Sequence, residues 1–180
     1  PAFIWPLLGA LSIGFHLWLI FAGLVPNLVS RPLHMALALP WVLLYRPAGG
    51  RVSRVAAVIC ALGVAACCWV AWNQSALGDQ YGALEGHVQT AIAALLLLVV
   101  LEMARRAVGW PLPVLAAIAL LYGLLGHLLP GEFGHGGIPV ASFLGSMTIT
   151  EAGLWGSLTG VSVSIVAIFV IFGAMLNAGE

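Results

Sequence analysis

Residues 101–131, "LEMARRAVGWPLPVLAAIALLYGLLGHLLPG", hold one glutamate and two arginines between two runs that are almost wholly apolar. Charge is scarce in the rest of the chain too. The 180 residues include six arginines, no lysine and six acidic residues; 62% are hydrophobic and the mean hydropathy is +1.11. A soluble domain carries about a quarter of its residues as charge, because polar groups must cover its surface. Here the charged fraction is 7%, so lipid must replace water on most sides. The net charge is zero, which leaves no basic stripe for nucleic acid.

About 20 apolar residues, each adding 1.5 Å of helix, cross a hydrocarbon core of roughly 30 Å. Working outward from residue 101, five runs reach or approach that length: Phe3–Val25, Val52–Trp72, Val88–Ala104, Trp110–Leu129 and Ala152–Leu176. A sixth, Leu28–Tyr45, contains Arg31, His34 and Pro40, and it spans only if Arg31 reaches an interface. The predicted fold class is therefore all-α, a polytopic transmembrane bundle of about six helices. The chain starts at Pro1 without methionine and stops at Glu180 directly after an apolar run, and it reads as a piece of something longer. A cleaved signal peptide does not account for the first run, which lacks a basic region before it and is too long.

Basic residues in short loops stay on the cytoplasmic side. Arg46, Arg51 and Arg54 follow the Leu28–Tyr45 run, and Arg105 and Arg106 close the Val88–Ala104 run. With six crossings both groups face the cytoplasm, as do Pro1 and Glu180, and the loops Asn73–His87 and Pro130–Thr150 lie outside. Arg31 dissents. Trp5, Trp41, Trp69, Trp72 and Trp110 fall near run ends, where amphipathic rings prefer the headgroup level. Pro111 and Pro113 open a helix, where a missing N–H costs little. A short interfacial helix is expected around Val140–Met147.

Glu102 precedes Arg105 and Arg106 by three and four positions, the spacing at which a carboxylate meets a guanidinium on one helix face. Together the three read as an interfacial anchor; the competing reading of Glu102 is a carboxylate in a proton or ion path. Gly156 and Gly160 form a G-x-x-x-G, continued by Ser157, Ser162 and Ser164, that reads as a helix-packing face; the alternative is an ion site of those serines with Thr159. His16 and His34 read as packing or hydrogen-bonding residues. Cys60, Cys67 and Cys68 fall in one apolar run and behave as small hydrophobes. His127, Glu132 and His135 are all potential zinc ligands, but their spacing fits no helical pattern, and solvated loop is the plainer reading. No nucleophile with its base, phosphate-binding loop or paired catalytic carboxylates occurs, so catalysis has no sequence support.

Several stretches together resemble one family, the fused permeases of tripartite ATP-independent periplasmic (TRAP) transporters that work with TAXI-class binding proteins. The resemblance rests on Leu101-Glu102, Arg105-Arg106, Gly109, Leu121-Tyr122, Gly126 and Pro130-Gly131, then on Glu151-Ala152-Gly153, Gly156, Val161-Ser162 and Phe172-Gly173-Ala174. His16 and Arg31-Pro32-Leu33-His34 add to it. It implies that residues 1–129 correspond to a small scaffold part plus a connecting helix, and that 130–180 begin a large transport part. It further implies a multi-pass protein of a bacterial or archaeal cytoplasmic membrane that takes up organic acids, usually with sodium, from a soluble periplasmic TAXI-type protein. The lipid bilayer and the remaining helices of the same permease complete the implied partners. Substrate and sodium sites are expected outside these residues, so no binding, catalytic, cofactor or metal residue is assigned. Rival readings are a transporter or channel of another family, or a membrane-embedded metalloenzyme using His127, Glu132 and His135.

Overall fold

The computed structural model describes residues 3–45 and 52–179; Arg46 and Arg51 of the proposed cytoplasmic turn, with Pro1 and Glu180, lie outside them. The described residues are helical throughout, with short connections and no strand. The helices are α1 (Ile4–Phe21), α2 (Asn27–Leu44), α3 (Arg54–Trp72), α4 (Gln74–Asp79), α5 (Gly86–Val108), α6 (Pro111–Leu125) and α7 (Val140–Thr148). The last, α8, runs over Ser157–Ala178 and contains a π turn at Ser162–Val166. Each of the six apolar runs thus folds as a helix. The connection after α6 supplies α7, close to the predicted short helix, and α4 is an additional short turn of helix.

Among the described residues four helices are long and apolar enough to cross a membrane: α1, α3, α6 with its 3-10 extension to Leu128, and α8. The protein is a membrane protein by that measure. The expected runs that became α2, with Arg31, and α5, with Glu102, Arg105 and Arg106, are not among the four. α2, α3 and α5 supply the core of the bundle, whereas α1, α6 and α8 bury almost nothing: the sole buried residue of α1 is His16, and that of α8 is Val163.

Residue spacing builds this core. In α3, Ala56, Cys60, Gly63, Cys67 and Val70 are buried and recur at alternating intervals of four and three, one continuous helical stripe. Their small side chains let backbones close in. A Cβ on Gly63 would stand 2.9 Å from Leu39 Cδ1 and 3.0 Å from Val99 Cγ1, so α2, α3 and α5 meet over a hydrogen atom. Leu28, Met35, Ala36, Leu39 and Leu43 of α2 and Ala93, Leu96 and Val99 of α5 fill the remaining space. The three cysteines are free thiols, Cys60 and Cys67 buried and Cys68 exposed.

Residues beyond 129 share this core. Ile149 and Trp155 are almost completely buried in the same cluster as α2, α3 and α5. The Trp155 indole N–H donates to the carbonyl of the fully buried Thr148 at 2.6 Å, which closes the turn between α7 and α8. Gly82, in the loop after α4, lies against Ser146 and Thr150. The two loops expected outside therefore meet on one face of the molecule.

Candidate functional site

The polar groups gather in two places at opposite ends of α2. At its C-terminal end Glu102 accepts hydrogen bonds from Arg105 Nε at 2.7 Å and Arg105 Nη2 at 2.7 Å, and from Arg106 Nε at 2.7 Å. Arg106 Nη1 then donates to the carbonyl of Leu43 at 2.9 Å, taking one of the carbonyls that a helix end leaves without an intrahelical partner. Arg105 stacks with its guanidinium carbon 5.2 Å from the Trp110 ring centroid, a cation–π distance. Beside this cluster Trp5, Trp41 and Tyr45 form a ring trio with centroid separations of 5.3, 4.9 and 5.1 Å. Glu102, Arg105 and Arg106 are thus brought together, and they tie the ends of α2 and α5 side by side.

At the N-terminal end of α2 the arrangement is less predictable from sequence. Arg31 points inward between helices: its Nη1 donates to the Trp155 carbonyl, and its guanidinium lies flat on Gly160, where a Cβ would stand 2.9 Å from Nη2 and 3.1 Å from Cζ. Gly160 is therefore a contact glycine for an arginine. Gly156 serves differently, as the extended residue preceding α8, and the two do not act as one packing face. Arg31 Nε is buried without a hydrogen-bond partner, and among the described residues no carboxylate stands within 4.0 Å of the guanidinium; the only ion pairs there are those of Glu102.

One turn further along α2, His34 joins a chain of hydrogen bonds across three helices. His16 Nδ1 is 2.6 Å from the Ser12 carbonyl, His16 Nε2 is 2.8 Å from His34 Nδ1, and His34 Nε2 is 3.2 Å from Ser162 Oγ. A carbonyl only accepts, so with both rings neutral the direction is fixed. His16 donates to Ser12, His34 Nδ1–H donates to His16, and the Ser162 hydroxyl donates to His34. Ser162 begins the π turn, the kind of local widening often found at functional sites. The two histidines were legible as hydrogen-bonding residues; that they pair with each other was not, because 18 residues separate them.

A groove of about 390 Å³ opens beside Arg31, lined by Leu19, Ser30, Ser157, Gly160 and Ser164 among others. The serines of the proposed α8 pattern divide: Ser157 and Ser164 face this groove and Ser162 faces His34, while the Thr159 hydroxyl donates to the Leu154 carbonyl at 2.5 Å. The outer-loop trio behaves otherwise. His135 holds the Tyr122 carbonyl at 3.0 Å and the Gly136 carbonyl at 2.7 Å, and those two acceptors raise its pKa above the ordinary value, the Tyr122 bond most. No group of three histidine, cysteine or acidic side chains able to hold a metal occurs among the described residues, so His127, Glu132 and His135 are not assembled. No family model, curated protein or solved structure matches this chain.

Proposed function

We propose that this chain is the N-terminal membrane part of a TRAP-type fused permease, in which residues 1–129 form the stationary frame and 130–180 lead into the transporting part. In this reading all six long helices cross the bilayer, α2, α3 and α5 meeting in the core and α1, α6 and α8 around it. The transported solute is an organic acid delivered by a TAXI-class periplasmic protein and taken up with sodium.

One observation supports the reading above the others. Two of the polar residues on which the resemblance partly rests in the first portion, Arg31 and His34, grip the second portion at Trp155, Gly160 and Ser162, and His16 supports His34 from α1. A frame must hold the chain that leads into a moving part without moving itself. Arginines and tryptophans at the headgroup level resist sliding along the membrane normal, and the Glu102, Arg105, Arg106 and Trp110 group fits that duty.

Transport by the full-length permease in proteoliposomes tests the proposal. Uptake of a labelled organic acid is expected only with both an inward sodium gradient and the soluble binding protein. Uptake that proceeds at the same rate without the soluble protein would refute it.

A further inference from the structure

The groove beside Arg31 has the makings of an anion site. Two helices begin on it, α2 with Asn27 and α8 with Ser157. Neither start is closed by a side chain: the residues before them, Pro26 and Gly156, make no side-chain capping bond. Helix N-termini carry partial positive charge and free N–H groups, and anions settle there. The Arg31 guanidinium adds a full positive charge to the same groove, and it has no carboxylate to neutralise it. The nearby Glu151 accepts a hydrogen bond from Asn27 Nδ2 at 2.8 Å and lines a second groove with Leu77 and Tyr81. Ser30, Ser157 and Ser164 line the remaining polar wall, the Ser30 and Ser164 hydroxyls already donating to the Pro26 and Gly160 carbonyls.

Arg31 has the Trp155 carbonyl as a partner but no counter-ion among the described residues, and a half-buried charge left uncompensated is costly in a low-dielectric setting, which suits the groove to an oxyanion. Its other wall identifies the source. Leu19, Val161 and Val163 line it, and the helices that carry them, α1 and α8, turn their remaining apolar side chains outward, with Phe21, Ile165 and Phe169 exposed. The groove is therefore continuous with the surface that faces acyl chains. Given that the chain is a membrane protein, we propose that it binds the phosphate of an anionic phospholipid headgroup, with the guanidinium of Arg31 and the first-turn amides of α2 and α8 around the phosphate and the acyl chains along α1 and α8. The lipid then wedges the frame helices against α8 at the place where Arg31 and His34 hold it.

Native mass spectrometry of the full-length protein, released from micelles containing dioleoylphosphatidylglycerol or dioleoylphosphatidylcholine, tests this. The wild type is expected to retain the glycerol lipid about tenfold better, the equivalent of roughly 1.4 kcal/mol. Arg31→Ala should erase that preference. Because Arg31 also braces the Trp155 carbonyl, Ser157→Leu is the second arm: it fills the groove, leaves the brace in place, and should erase the preference with helix content unchanged by circular dichroism. An undiminished preference in Ser157→Leu with Arg31→Ala also unaffected overturns the site. Displacement of the lipid by millimolar inorganic phosphate that itself binds the wild type but not Arg31→Ala overturns the lipid as its occupant.

Discussion

Arg105 and Arg106 are neighbours in sequence with different reach. Both bond Glu102, but only Arg106 also crosses to the Leu43 carbonyl on α2, and hydrogen bonds to charged groups contribute more than neutral ones. Arg106→Ala is expected to lower stability in bicelles by about 1.5 kcal/mol, the low end for a bond to a charged group; Arg105→Ala should lower it less, because that side chain is the more exposed of the two. Equal losses in steric-trap or thermal unfolding would remove the cross-helix role. In full-length protein the double variant should disturb insertion or assembly, leaving apparent substrate affinity alone. The histidine pair makes a second residue-scale prediction. The acceptor carbonyl of Ser12 orders the whole chain, so nitrogen-15 spectra should report His16 and His34 both protonated at Nδ1, the tautomer each hydrogen bond requires. Ser162→Ala should cost only about 0.6 kcal/mol, the usual worth of a hydrogen bond between membrane helices, while freeing the tautomer of His34.

Helices explain which parts of the sequence could be read in advance. Every apolar run became a helix because length and hydropathy are local properties, and the pairing of Glu102 with Arg105 and Arg106 lies within one helix at fixed spacing. Contacts between helices depend on rotation about each axis, which no local pattern records. That is why Arg31, apparently out of place in an oil-length run, was found facing protein, and why Gly160 received a guanidinium. Gly63 was passed over for the same reason, although the stripe from Ala56 to Val70 carries a detectable signal in its small residues. Gly63→Val would press on Leu39 and Val99 and should cost about 1–3 kcal/mol, as overpacking does; the loss of α2 to α3 proximity by spin-label distances checks it. The connection after α6 should respond to pH. With the His135 pKa raised above 6.5 by its two carbonyl acceptors, the contribution of that ring is complete below pH 6.5 and fades as pH climbs through the raised value. Protection factors of the amides across residues 131–137 should fall over that interval, and in a His135→Phe variant they should stay constant.

For the molecule as a whole, α2 and α5 end together and the two loops Asn73–His87 and Pro130–Thr150 meet at the opposite end, through Arg106 with Leu43 and Gly82 with Ser146. This predicts one sidedness: reporters placed beside Arg54 and beside Arg106 should fall on the same face of the membrane, and reporters at Gly82 and Gly136 on the other. Split locations for the two arginine groups would break the assignment of the frame. The division at residue 129 rests on the family resemblance, and Trp155 beyond it is fully buried among helices of the first portion. Composition reports where a chain leaves the membrane; it carries no record of which earlier helices it returns to. The π turn at Ser162–Val166 has a mechanical side as well. Such a turn holds one residue more than an ordinary one, and passing that surplus residue further along α8 would swivel Phe169 and Phe172 by about 100° while the rod stays intact and its upper end stays clasped, the motion of a bearing in place of a hinge.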